Sequence, residues 1–163
     1  MGRILSILTV VCACLAIGGV RAPASAHEPE PLLTFVNGSA VHVELDLEDL
    51  EDLPVGQFTT TTIWTDGPQT YEGVFLHDLL AYFNVTEGEI RVTAVNDYSV
   101  SMPVTELRDQ EALLAFKRNG KIMSMRQKGP LWIVYPYDNN TNLQNEIVYS
   151  RSVWQVVRLD VLG

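Results

Sequence analysis

Flat aromatic rings, a carboxylate and a guanidinium fall where the strands of this sequence run into turns: Trp64, Asn96-Asp97-Tyr98, Tyr135-Pro136-Tyr137-Asp138 and Arg151. Together these residue types suit a planar, nitrogen-rich heterocycle. Such a ring stacks on Trp64 and on Tyr98 or Tyr137. Asp97 accepts from an amino-pyrimidine edge and Arg151 donates to a ring carbonyl. Taken singly, each aromatic is more simply a core residue, and Asp97 could serve only its own turn.

Other chemistry is thinly represented. The sequence has no P-loop, no Gly-x-Gly-x-x-Gly, no His-Glu-x-x-His and no Gly-x-Ser-x-Gly. Its three histidines are His27, His42 and His77. A mature chain starting at His27 would offer an α-amine and an imidazole, a pair that chelates copper. The alternative is that His27 simply begins a Pro-rich tail. Lys117, Arg118, Lys121, Arg126 and Lys128 form one basic concentration, which suits either hairpin solubility or an anion-facing role. The acidic run Glu44 to Asp52, "ELDLEDLED", reads as a solvated face rather than a docking motif.

The elements that must hold these residues can be read from pattern. "LLTFVNGSAVHVEL" is a hairpin turning at Asn37-Gly38. "DLEDLEDLPVGQF" is a short amphipathic helix or turn stopped by Pro54. Gln57 to Trp64 is a strand rich in β-branched threonine. Tyr71 to Phe75 is a short strand or turn, and "LHDLLAYFNV" is a helix with Leu76, Leu79, Leu80 and Phe83 on one face. "EIRVTAV" alternates as a strand with Ile90, Val92 and Ala94 inward, and "NDYSVSMPVTEL" turns into a second strand. "ALLAFKRNGKIM" is a hairpin, "GPLWIVYPYD" a buried strand, "DNNTNLQNE" a polar loop and "SVWQVVRLDVL" a closing strand. Mixed strands with two or three short helices argue an α+β fold.

The first 26 residues have the form of a secretory signal: Arg3, an apolar run from Ile4 to Val20, then Ala24-Ser25-Ala26. The expected organisation is a signal peptide at 1–26 and a single domain at 27–163, exported to the periplasm. Both cysteines, Cys12 and Cys14, would leave with the leader, so the mature protein would hold neither a disulfide nor a thiolate ligand. The chain carries 20 acidic against 11 basic residues. Such a surface repels phosphate backbones and argues against nucleic acid.

Three segments in order, "YEGVFLHDLL", "VTAVNDYSVSMPVTEL" and "ALLAFKRNGKIMSMRQKGPLWIVYP", resemble the sulfite-oxidase-type molybdopterin-binding domain. The resemblance runs over residues 57–161 and implies the mixed α+β sulfite oxidase fold. It also has gaps. The family's molybdenum-ligating cysteine precedes the Gly-Val-x-Leu segment, where this chain has Thr59 to Thr62. The arginine expected after Gly-x-Pro-Leu is Trp132, and Asp97 runs directly into Tyr98 without the usual glycine.

The sequence is closer to a cysteine-less subset with "WTDG", "NDY", "KGPLW" and "RSVWQ" features. That subset implies a non-catalytic pterin-binding protein without molybdenum. It would signal to the periplasmic domain of an inner-membrane cyclic di-GMP synthase or phosphodiesterase. The expected pterin-binding residues are Trp64, Asn96, Asp97, Tyr98, Tyr135, Tyr137 and Arg151. The alternative is a molybdopterin-dependent oxidoreductase, or a subunit of one.

Overall fold

A computed structural model describes residues 30–162. The expected signal peptide and His27 lie outside the described residues. Two five-stranded sheets carry the fold. The first contains β1 (Leu33–Asn37), β2 (Val41–Leu45), β5 (Glu89–Ala94), β6 (Ser99–Pro103) and β10 (Val156–Leu162) in the order β2-β1-β10-β5-β6. The β1–β10 pair is parallel and the other pairs in this sheet are antiparallel. The second contains β3 (Val55–Thr60), β4 (Gln69–Phe75), β7 (Leu113–Arg118) and β8 (Lys121–Ile122) in that order, with β9 (Trp132–Val134) also pairing β7. Among the described residues four short α-helices connect them: α1 (Leu47–Glu51), α2 (Leu76–Tyr82), α3 (Val104–Asp109) and α4 (Glu146–Arg151). The architecture is α+β, with more helices than the sequence pattern suggested. Among the described residues no helix is long and apolar enough to cross a membrane.

Local chemistry accounts for most boundaries. The first hairpin turns through Gly38, whose φ of 57° suits a residue without Cβ. Asp46 and Asp49 form a reciprocal capping box at α1, each carboxylate accepting from the other's backbone N–H at 2.9 and 3.0 Å. In α2 the face bearing Leu76, Leu79 and Leu80 is buried, and Phe83 just beyond it stacks on Phe35 at 4.1 Å. Gly73 lies where β4 crosses β7. A Cβ there would stand 2.1 Å from the Leu114 carbonyl oxygen, so only glycine permits the approach.

Two helices depart from the expected strand and loop. α3 begins immediately after Pro103, at the end of β6, where the sequence pattern expects "PVTEL" to continue the strand. α4 rises out of the polar loop because Asn145 caps it, its side chain accepting from the N–H groups of Ile147 and Val148 at 2.9 and 3.0 Å. The opening threonine strand also ends early, at Thr60 rather than Trp64. Beyond it the backbone turns to side-chain partners. Thr61 N–H donates to Asp138 Oδ2 at 2.6 Å, and Trp64 N–H donates to Thr62 Oγ1 at 3.1 Å. Such local bonds compete with ladder formation.

The sheets are joined by the segments around Trp132 and Trp154. These two residues form an isolated antiparallel bridge. It is flanked by Ile133 N–H to Val153 C=O at 2.8 Å and Val156 N–H to Leu131 C=O at 3.0 Å.

Candidate functional site

A cavity of about 260 Å³ opens at this seam. Its walls come from three places. Trp64 reaches it from the turn after β3. Asn96 and Tyr98 reach it from the β5–β6 turn. Tyr149 and Trp154 reach it from α4 and the segment leading to β10. The volume lies near the lower end for small-ligand sites, which suits one compact ring system.

Four aromatic residues define its character. Trp64 meets Tyr149 and Trp154 edge-on, each with centroids 5.8 Å apart, and meets the core residue Trp132 at 6.0 Å. Edge-to-face contacts of this kind are worth about 0.5–1.5 kcal/mol each beyond burial. Tyr98 is 45% exposed and holds its place by donating its hydroxyl to the Ser150 carbonyl at 2.9 Å. Asn96 Oδ1 accepts from Tyr98 N–H at 3.2 Å. That leaves the Asn96 amide N–H₂ as a donor for a ring carbonyl or ring nitrogen. No charged side chain belongs to the cavity wall.

One cation stands just outside. Lys128 Nζ lies 3.9 Å from the centroid of the Trp154 ring and 5.5 Å from that of Trp132. Burial, and then the neighbouring positive charge of Arg118, hold the Lys128 pKa below its ordinary value.

Of the seven residues expected at the site, Trp64, Asn96 and Tyr98 line the cavity. The other four lie elsewhere. Asp97 occupies the crest of its turn at φ 64°, exposed, with its N–H donating to Ala94 C=O at 3.0 Å. Tyr135 is sealed in the core with its hydroxyl toward Met102 sulfur at 4.0 Å. Tyr137 is also sealed, its hydroxyl bonded to Ser152 Oγ. Arg151 turns to α3, where Nη1 donates to Glu106 Oε2 at 2.7 Å. Its guanidinium serves an ion pair between α4 and α3. Tyr149 and Trp154 were not anticipated as walls. Tyr149 lies in α4, between the polar loop and the closing strand, where the sequence pattern assigns no element. The sequence pattern expects strand through Trp154, whereas Gln155 at φ 55° breaks the backbone immediately after it.

The threonine stretch lies beside this site and is fully engaged. Thr59 Oγ1 pairs with Thr70 Oγ1 at 2.8 Å, and Thr62 Oγ1 with Thr65 Oγ1 at 2.9 Å. Buried Thr60 accepts from Asp138 N–H at 3.1 Å through Oγ1, and the Thr61 hydroxyl donates to the Asp138 carboxylate.

Comparison with known proteins places the chain. Residues 36–138 match the family described as oxidoreductase molybdopterin binding domain. The chain belongs to this family. Among solved structures it is similar to the sulfane dehydrogenase SoxCD from Paracoccus pantotrophus, with a TM-score of 0.58 and 20% identity. The similarity covers 79% of this chain and 37% of that one, so the chain spans little more than a third of that protein's length. At this identity the likeness concerns the fold. No curated protein matches the sequence.

Molybdopterin-binding domains of the sulfite oxidase fold imply a pterin-type cofactor, and the residues here fit part of it. The aromatic cavity suits the planar ring. A soft metal wants a thiolate, and the two cysteines of the sequence lie outside the described residues. Among the described residues no three His, Cys, Asp or Glu side chains converge as a metal site. The hydroxyls of Thr59 to Thr62 are hard donors, and those of Thr59, Thr60, Thr61 and Thr62 are already bonded to protein partners. Among the described residues the donor set fits a pterin ring and offers a metal no thiolate.

Proposed function

We propose that this molybdopterin-binding-type domain binds a metal-free pterin in the cavity between Trp64, Tyr98, Tyr149 and Trp154, and acts as a sensor rather than a catalyst. The observation that carries the reading is the aromatic cavity set beside a threonine stretch with no thiolate to offer. A flat ring there gains aromatic contact on several sides, and the Asn96 amide donates to its polar edge.

In this reading the chain is exported through its leader and works in the periplasm. Its partner is the periplasmic domain of an inner-membrane cyclic di-GMP synthase or phosphodiesterase. The ligand signals by binding one receptor-competent shape better than another, and that difference in affinity sets the size of the response.

Family membership favours a second reading, in which the domain carries molybdopterin within an oxidoreductase. One preparation separates the two. Protein purified from its native host is denatured, and the released material is examined for blue pterin fluorescence and for molybdenum. A pterin without molybdenum is the expected result; stoichiometric molybdenum overturns the sensor. Affinity capture of the tagged protein from solubilised membranes tests the receptor. Recovery of a cyclic di-GMP enzyme is expected, and recovery of a haem-bearing membrane subunit instead supports redox work.

A further inference from the structure

We propose that a groove sharing no lining residue with the aromatic cavity docks a basic, amphipathic segment of a partner protein, in which lysine or arginine flanks aliphatic side chains. The groove, of about 610 Å³, opens where the chain leading into β1, helix α1, strand β8 and the entry to β9 meet. Its apolar wall is Leu32, Leu47, Ile122 and Pro130. Leu32 and Leu47 are partly buried against the core, whereas Ile122, on the last strand of its sheet, is 45% exposed. A single exposed aliphatic is ordinary. Here it borders three further apolar side chains in a concave surface, the form that partner contacts take.

Charge names the partner. Glu30, Asp46, Glu48 and Glu51 line the same groove. Among the described residues only Glu51 of these has a cation partner, Lys117 at 2.7 Å. Asp46 accepts from Asp49 N–H in the capping box, a bond that leaves its charge in place. The helix dipole favours an acidic residue in the first turn, which accounts for Glu48. It does not account for Glu30, from a different segment, or for Glu51 at the far end of α1. Lys121, beside Ile122 in β8, alternates to the opposite side of the strand. From sequence the run Glu44 to Asp52 reads as a solvated face; folded, part of it borders apolar surface contributed by other segments. Carboxylates around an aliphatic groove attract a segment of opposite charge and repel anionic lipid. A symmetric second copy would set the same carboxylates against one another. The basic groups of the docked segment sit among the carboxylates while its aliphatic side chains displace water from Ile122 and its neighbours.

The test uses the full mature protein and a labelled short peptide in which leucines lie between lysines, followed by fluorescence anisotropy and amide chemical shifts. Two control peptides carry serine for leucine or glutamate for lysine. The leucine–lysine peptide should bind, with shifts concentrated at Leu32, Leu47, Glu48 and Ile122. Each control should bind at least about 10-fold more weakly, the size of one lost anchor. Ile122→Ser and the double variant Glu30→Lys/Glu48→Lys should each cost a similar factor, with thermal melts confirming that both fold. Absence of binding overturns the proposal. So do shifts spread over the whole acidic surface, or equal binding of the serine peptide, either of which reduces the effect to general charge attraction. Binding that appears only once the residues before Glu30 are removed makes the chain's own start the occupant. A dimer in sedimentation that Ile122→Ser dissolves makes it a second copy. Both results overturn the proposal. None of these readouts involves pterin, so failure here leaves the reading of the cavity standing.

Discussion

Tyr71, Trp132, Tyr135 and Tyr137 are sealed in the core, whereas Trp64, Tyr98, Tyr149 and Trp154 keep part of their surface open around the cavity. The two groups touch. Trp132 meets Trp64 edge-on at 6.0 Å and Tyr71 at 5.4 Å, and Tyr137 meets Tyr149 at 5.6 Å. Their residue types are the same, yet their polar ends are treated differently. The Trp132 Nε1–H donates to Ser152 C=O at 3.2 Å and the Tyr137 hydroxyl bonds Ser152 Oγ, so both spend their polar atoms on the interior. In the open group, among the described residues, only Tyr98 is tied down by a side-chain hydrogen bond, through its hydroxyl. Aromatic content alone marks neither group as a site; the tethering and the access do.

The largest effect should come from Trp132→Ala, which empties a fully buried indole and should cost about 3–5 kcal/mol in denaturant unfolding. A loss below about 1 kcal/mol would break the distinction between sealed and open rings. Trp64→Ala should act mainly on binding. We expect pterin affinity to fall about 30-fold, equivalent to roughly 2 kcal/mol for loss of a binding anchor, with a smaller stability loss than Trp132→Ala. If the two variants unfold alike, Trp64 belongs to the core.

Alkaline unfolding sharpens the contrast further. Desolvation by burial raises the pKa of Tyr71, Tyr135 and Tyr137 above 10.0, most strongly for the latter two. Groups whose folded pKa is raised contribute stability that is full below the unfolded value and lost as pH rises above it. The unfolding midpoint should therefore fall above pH 10, and Tyr135→Phe should remove part of that fall. A midpoint independent of pH in that range would mean these phenols are not sealed. The smallest effect should belong to Asp97→Asn. The side chain is exposed on its turn, and asparagine tolerates the same positive φ. A change below about 0.5 kcal/mol and unaltered pterin retention are expected; a binding loss would draw Asp97 into the site.

Much of the framework was legible because it follows period and turn chemistry. Asn37-Gly38 and Asn119-Gly120 marked hairpins, and Ile90, Val92 and Ala94 are all buried as their alternation requires. The buried face of α2 was readable from leucine spacing. α4 was harder, since Ile147 and Val148 are β-branched and disfavour a helix that the Asn145 cap nonetheless starts. The cap, with Glu146 in the first turn, was the available signal. Missing that helix hid Tyr149 and gave Arg151 an apparent place at the site. Tyr135 and Tyr137 sit at a strand end, as the site residues do, but nothing local in "YPYD" reveals that the chain beyond them stays buried until Asp138. Whether an aromatic at a strand end faces a cavity is decided by which distant segment covers it.

The bridge between Trp132 and Trp154 has a mechanical consequence. It pins two sheets together at the spot where the cavity opens, like a rivet set beside a keyhole. A ring lodged there touches the Asn96 turn of one sheet and the Trp64 turn of the other at once. Occupancy would then be felt as stiffness across the joint, measurable as slower amide exchange along β9 and the start of β10, beyond the residues that line the cavity.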